Sequence, residues 1–163
     1  MSFPADVLYP ARAELLPNGS LLYARDAWWL RCSLLGTEGN AVPKVLALTG
    51  ERIGVMTMLA NSEVLALNPK YSWEIRVSHP LASDLESQAV GSVSVGEGGL
   101  IGIWGHIYGD TDALYCISPD GSEVANALVP WSSKIRHPTY QVWLKEGLSD
   151  KVLGDGPLFS KDK

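Results

Sequence analysis

Lysine and arginine are missing from residues 77–133, although the whole chain carries 13 of them. The charged residues of this stretch are all acidic: Asp84, Glu86, Glu97, Asp110, Asp112, Asp120 and Glu123. The chain has a formal net charge of −5, and negative charge concentrated in this way repels nucleic-acid phosphates and anionic lipids. We therefore expect neither nucleic acid nor membrane among the partners, and we expect a basic protein to be attracted.

Long apolar runs and a secretory leader are also missing. Glycine or charged residues interrupt every candidate run before it reaches the roughly 20 residues that cross a bilayer. The opening residues, MSFPADVLYPARAELLPNG, contain acidic residues and prolines where a signal peptide has a basic start and an apolar core. These features predict a cytoplasmic protein.

Cysteine and phenylalanine are scarce. The two cysteines, Cys32 and Cys116, lie in the strand-like segments WWLRCSLL and ALYCIS. In a reducing compartment such residues are typically buried thiols rather than disulfide partners. Only two phenylalanines accompany six tryptophans, so we expect tryptophan to supply much of the core.

Short strand-like segments recur along the whole chain. In SWEIRVS, Trp73, Ile75 and Val77 alternate with polar residues, which is typical of a half-buried strand. Turn sequences such as PNG, NPKY and SPDG separate the segments. We predict one mainly β domain over residues 1–163, an antiparallel barrel or sandwich built of hairpins, with residues 1–12 and 154–163 as loosely ordered tails.

Helical patterns are rare. Residues 81–90, LASDLESQAV, place Ser83 as an N-cap with Glu86 three residues later, which predicts a short helix. Residues 121–131 fit either a second short helix or a further strand.

The densest glycine segment is GEGGLIGIWGHIYGD, residues 96–110. A phosphate-binding loop requires a following helix and commonly a lysine, whereas these glycines lie between two strand-like segments. Alternation places Ile101, Ile103 and Ile107 on one strand face, which is the expected core. Trp104, His106 and Tyr108 share the other face. That face is either a second packed layer or a contact surface, since Trp and Tyr are frequent binding anchors.

Motifs for metal binding and catalysis are weak. His106, Asp110 and Asp112 have a spacing that permits a divalent ion, but neither a zinc motif nor a calcium loop is present. We therefore expect no metal and no cofactor. A hydrolase using His106 with Asp110 or Cys116 stays an alternative, because catalytic groups assemble in space.

The acidic stretch and the aromatic strand face together favour a non-catalytic protein-binding function. We expect an inhibitor, an immunity-type protein or an adaptor that engages a basic partner, although exposed strand edges also permit a homodimer. A barrel that binds a small ligand among its tryptophans is the main alternative. The expected partner-binding residues are Trp104, His106, Tyr108, Asp110, Asp112 and Asp120.

Overall fold

The computed structural model of the chain describes residues 3–36, 38–59, 63–77, 81–82, 90–124 and 135–162, with the backbone alone at 81, 82, 97, 111, 112 and 135. Strands account for 55% of the structure and helical turns for 4%. The predicted mainly β class is confirmed, and the arrangement is sandwich-like. The helical turns are two 3-10 segments, Ala13–Leu15 and Glu97–Gly99, and no α-helix occurs in the described residues.

Fifteen strands occur in the described part of the chain. In chain order they are β1 (Leu8–Arg12), β2 (Leu21–Ala24), β3 (Ala27–Leu35), β4 (Ala41–Ala47), β5 (Val55–Thr57), β6 (Glu63–Leu67), β7 (Tyr71–Val77), β8 (Leu81–Ala82), β9 (Val93–Val95), β10 (Ile101–Ile107), β11 (Asp110–Ile117), β12 (Ile135–Arg136), β13 (Tyr140–Glu146), β14 (Val152–Leu153) and β15 (Phe159–Lys161).

The strands form a large and a small sheet with a short extra ladder. The large sheet has nine strands in the order β1-β6-β2-β3-β4-β5-β10-β11, and β9 also pairs with β10. All of its pairs are antiparallel except β5 with β10. In the four-stranded small sheet, β13 pairs with β7, β14 and β15. The ladder joins β8 to β12.

The main core lies between the two sheets. Alternation along β3 directs Leu30, Cys32 and Leu34 into this core. Val142 and Leu144 of β13 meet them from the small sheet and are fully buried. The apolar residues of the two inner faces therefore hold the sheets together, as in other β-sandwiches.

The opposite face of the large sheet is buried as well. Trp29, which precedes Leu30 on β3, packs there with Leu22 and Val45, and the segment around Ala13 and Leu59 contributes to the cluster. The central strands are thus covered on both sides, which explains why WWLRCSLL is apolar at neighbouring positions.

Strand β7 has the amphipathic character predicted for it. Trp73 and Ile75 pack against the main core, whereas Val77 is 36% exposed. On the other face, an Arg76 nitrogen lies 2.8 Å from a Glu74 carboxylate oxygen. The alternation therefore divides this strand into a core face and a charged outer face.

Both terminal segments contain paired strands where the sequence suggested loose tails. All five residues of β1 pair with β6, and β15 pairs with β13. Phe159 of β15 also stacks on Trp28, with ring centroids 5.1 Å apart. Local sequence patterns do not reveal such pairing with distant segments.

The predicted helix over residues 81–90 and the segment 121–131, which fits either a helix or a strand, fall largely outside the described residues. Leu81 and Ala82 are strand residues paired with β12, which corrects the start of the helix predicted over residues 81–90. Residues 83–89, with the expected cap, are not described. In the second segment, Glu123 forms an antiparallel bridge with Ile117, and residues 125–131 are not described.

The two cysteines are buried free thiols that lie in different apolar clusters. Burial raises the pKa of each thiol to about 12. Because these pKa values rise on folding from 9.0, the thiols stabilise the fold below pH 9, and this contribution is lost as the pH rises toward 12.

We expect iodoacetamide at pH 8.5 to leave Cys32 and Cys116 unmodified in the native protein and to alkylate both in urea. The reason is that the thiolate is the reactive form and folding suppresses it. Mass spectrometry of the intact protein measures the number of adducts. Rapid double alkylation of the native chain would contradict the burial of the thiols.

Candidate functional site

The glycine-rich segment is a strand that permits close backbone contact. A Cβ atom at Gly105 would lie 2.7 Å from Leu46 Cδ1 and 2.9 Å from the Gly54 carbonyl oxygen. The next amide, that of His106, donates a hydrogen bond of 2.9 Å to this Gly54 oxygen. Gly105 thus lets the loop before β5 approach β10, which has a structural function.

Trp104 belongs to a second packed layer. Its side chain is fully buried with Cys116 and Val124, and its Nε1 donates to Ser94 Oγ at 2.8 Å. The Arg136 guanidinium lies 5.0 Å from the ring centroid. In this structure the indole therefore cannot serve as an exposed anchor, and of the two alternatives for this face the packed layer holds at Trp104.

Tyr108 has the exposure that a contact residue needs, because 63% of it is accessible. The Arg52 guanidinium covers its ring at 5.2 Å from the centroid. His106 is half-buried, with Nδ1 3.1 Å from the Ile107 carbonyl oxygen. Asp110 is exposed beyond the turn, and the side chain of Asp112 lies outside the described residues.

The acidic residues of the basic-free stretch do not form one described face. Asp110 and Asp120 lie near opposite ends of β11, whose eight residues span about 25 Å. Arginines from outside the stretch also approach it, since Arg52 lies over Tyr108 and Arg136 over Trp104. Strand pairing therefore brings positive charge to a segment that lacks it in sequence.

Asp120, the last of the six predicted partner-binding residues, is held by hydrogen bonds within its own turn. Its Oδ1 atom accepts hydrogen bonds from Ser118 Oγ at 2.6 Å, from the Ser122 amide at 2.8 Å and from Ser122 Oγ at 2.5 Å. These bonds, with that of Ser118 the strongest influence, lower the pKa of Asp120. No residue in the described part of the chain bonds to Oδ2, so an ionised oxygen stays available at neutral pH.

Asp120 borders a cleft of about 310 Å³, which is also lined by Pro69 in the turn between β6 of the large sheet and β7 of the small sheet. Three aromatic residues line this cleft: Tyr9 on the edge strand β1, and Tyr71 and Trp73 on β7. The remaining lining includes Asn18, Leu67 and three prolines, Pro17, Pro69 and Pro119. We call this site the aromatic cleft.

The two turns that border the aromatic cleft are held by β3. Strand β2 pairs with β3 only as far as Leu30, so the later amides and carbonyls of β3 are left for other partners. The Arg31 carbonyl accepts from the Gly19 amide at 2.8 Å, and the Ser33 amide donates to the Gly121 carbonyl at 3.0 Å. These bonds fix Asp120 beside the turn of residues 17–20.

A polar cluster orients Tyr71. Its hydroxyl donates to Asp6 Oδ1 at 2.7 Å, and the Lys70 ammonium pairs with the other Asp6 oxygen. Lys70 also lies 5.0 Å from the Tyr71 ring centroid. The hydrogen bond from Lys70 lowers the pKa of Asp6, so Asp6 stays ionised, and the Lys70 ammonium balances its charge. Among the described residues that line the cleft, the uncompensated negative charge is therefore that of Asp120.

Trp73 is held by a hydrogen bond to the turn of residues 17–20. Its Nε1 donates to the Gly19 carbonyl at 3.2 Å, and part of its ring packs against the main core. With Tyr71 held by Asp6, two of the three rings have defined orientations before any ligand arrives. Such preorganisation lowers the entropy cost of binding.

A larger depression, of about 450 Å³, lies near the β2–β3 turn but suits a partner less well. Arg25 and Asp26 occupy this turn with positive φ angles of 52° and 58°. Glu51 and Arg52 complete a charge-balanced lining, and the one aromatic residue among its described members, Trp29, is almost fully buried. The described lining of this depression therefore offers neither a net charge nor an exposed ring.

The structure also bears on the alternative chemistries. The raised pKa of Cys116 keeps its thiol protonated, which disfavours it as a nucleophile. Among the described residues, no group of three His, Cys, Asp or Glu side chains comes together to hold a metal. The tryptophans of the described segments do not converge on one cavity, since Trp29, Trp73 and Trp104 each lie in a different cluster or cleft.

Comparisons with known proteins leave the site to be interpreted from its geometry. No protein-family model, curated protein or solved structure significantly matches the chain. In the described part of the structure, no helix is long and apolar enough to cross a membrane.

Sequence reasoning missed most of the aromatic cleft. Of its residues only Asp120 was predicted for a site, whereas Tyr9, Tyr71 and Trp73 were not. Trp73 was recognised as a strand residue, but Tyr9 and Asp120 reach the cleft from segments far from it in sequence. A usable signal was the aromatic residue that follows proline in the turn NPKY, together with the proline and aspartate of the turn SPDG.

Proposed function

We propose that this chain is a non-catalytic binding protein of the inhibitor, immunity or adaptor type, and that it engages a basic protein through the aromatic cleft. The observation that supports this most is the Asp120 carboxylate, whose Oδ2 has no bond within the described residues and which borders three aromatic side chains. A lysine or arginine of the partner would pair with this oxygen while neighbouring apolar groups cover the rings.

The proposed site combines an acidic group with aromatic residues, as the sequence predicted. It lies in the aromatic cleft, however, and not at the β10–β11 turn. In the proposed site, Trp73 has the part that the sequence analysis gave to Trp104. Tyr9 and Tyr71 have the part that it gave to Tyr108. This assignment makes the surface around Tyr108 and Asp110 a matched control, because it also combines an exposed tyrosine with an aspartate.

We expect the double variant Tyr9→Ala, Asp120→Asn to weaken partner binding by at least tenfold. Asn at position 120 keeps an oxygen that can accept the bonds from Ser118 and Ser122, so the turn is maintained while the charge is lost. The partner would be captured from native lysate at low salt, identified, and its affinity then measured by calorimetry. Because charge pairing contributes, the affinity should fall as the salt concentration rises.

The control is the double variant Tyr108→Ala, Asp110→Asn, which should retain the wild-type affinity. Equal melting temperatures for the proteins would exclude unfolding as the cause of any loss. A loss confined to the control variant would overturn the assignment and place the contact at the β10–β11 turn. An acidic partner, or binding insensitive to both pairs of substitutions, would contradict the proposed function.

A further inference from the structure

We infer that the aromatic cleft binds an extended, proline-containing segment with a lysine or arginine, in the polyproline II conformation. This inference rests on the proposed function and specifies the part of the partner that enters the cleft. The volume of about 310 Å³ corresponds to a few side chains and not to a whole domain surface.

The lining favours proline over other apolar side chains. Aromatic grooves bind polyproline II segments because the flat pyrrolidine rings stack on aromatic faces and the segment is ordered before it binds. In the aromatic cleft, Trp73 and Tyr71 are held by the hydrogen bonds to Gly19 and Asp6. Rigid rings of this kind match a rigid ligand, since neither side loses much conformational entropy.

The edge strand beside the cleft disfavours the other extended binding mode, strand addition. Pro10 lies in the middle of β1 and has no amide hydrogen to donate to an added strand. Tyr9 next to it is 36% exposed and contributes a ring to the cleft. Recognition at this edge therefore depends on side chains, as in polyproline II binding.

The negative charge of Asp120 favours a lysine or arginine beside the prolines of the bound segment. Asp120 stays ionised at neutral pH and presents Oδ2, whereas the charge of Asp6 is balanced by the Lys70 ammonium. A guanidinium or ammonium group next to the prolines would pair with Asp120, and it would fix the direction in which the segment lies.

Peptide display with random twelve-residue peptides on the intact protein tests this inference. We expect the selected sequences to be enriched in proline and to carry a lysine or arginine at a constant spacing from the prolines. Synthetic copies of these peptides should bind at least tenfold more weakly to Asp120→Asn and to Tyr9→Ala. The variants Asp110→Asn and Tyr108→Ala should bind them as the wild type does. Replacing the basic residue of the peptide by glutamine should weaken binding to the wild type but have little further effect on Asp120→Asn.

The outcomes separate this inference from the proposed function. If lysate capture of a basic partner depends on Asp120 but display selects no proline-containing sequences, the inference is overturned and the proposed function stands. If the peptides bind in the cleft and the lysate partner is insensitive to Tyr9 and Asp120, the inference stands and the proposed function fails. Selection of peptides insensitive to both residues overturns the inference.

Discussion

Trp104→Ala should lower the free energy of unfolding by about 3–5 kcal/mol, which is the range for removing a large aromatic side chain from a core. The indole is fully buried beside Cys116 and Val124, and Nε1 bonds to Ser94. In a chain of this length the expected fall in Tm is roughly 10 °C or more. Urea unfolding followed by circular dichroism measures the change.

Two companion variants separate the contributions at this position. Trp104→Phe keeps most of the apolar contact but loses the bond to Ser94 Oγ, so we expect a loss of about 1–2 kcal/mol. Tyr108→Ala, four residues later and exposed, should cost no more than about 1 kcal/mol. If Trp104→Ala were as mild as Tyr108→Ala, the packed layer described for this ring would be wrong.

Gly121→Ala should destabilise the protein by about 3 kcal/mol or more, because the new methyl group has no space. Its Cβ would lie 2.4 Å from the Arg31 carbonyl oxygen and 2.6 Å from the Gly19 amide nitrogen. Both are backbone atoms of the segments that hold the aromatic cleft. Urea unfolding measures the loss, and binding of a selected peptide should weaken in parallel.

Gly109→Ala is the matched control for this substitution. Both glycines have a φ angle of +83°, but a Cβ at Gly109 would meet no heavy atom of the described residues within 4 Å. The control therefore carries the cost of the left-handed conformation alone, about 1 kcal/mol. Equal losses in the two variants would show that the close approach at Gly121 does not constrain the fold.

The fold class was accessible from the sequence because alternation and turn chemistry are local signals. The segment SWEIRVS shows its two faces directly, and Ile75 and Glu74 lie where the pattern places them. Strand order is a different matter, since β1 pairs with β6 and β7 with β13. Local patterns carry no information on which distant strand completes a pair.

The candidate site was less accessible for the same reason. The arginine that covers Tyr108 comes from the loop before β5, which the parallel pairing of β5 with β10 brings close. The terminal strand β1 supplies Tyr9 to the aromatic cleft, although its segment was expected to be a loose tail. The distribution of charge along the sequence therefore does not show which charged and aromatic residues are neighbours in the fold.

The pairing of β7 with β13 has a consequence for synthesis on the ribosome. The paired residues are roughly 70 positions apart, so at 5–20 residues per second β7 waits on the order of 4–14 s for its partner. Until then Ile75 and the apolar inner face of the large sheet lack the cover of Val142 and Leu144. A nascent chain stalled before residue 140 would expose this face to chaperones and to aggregation, whereas the finished chain hides it.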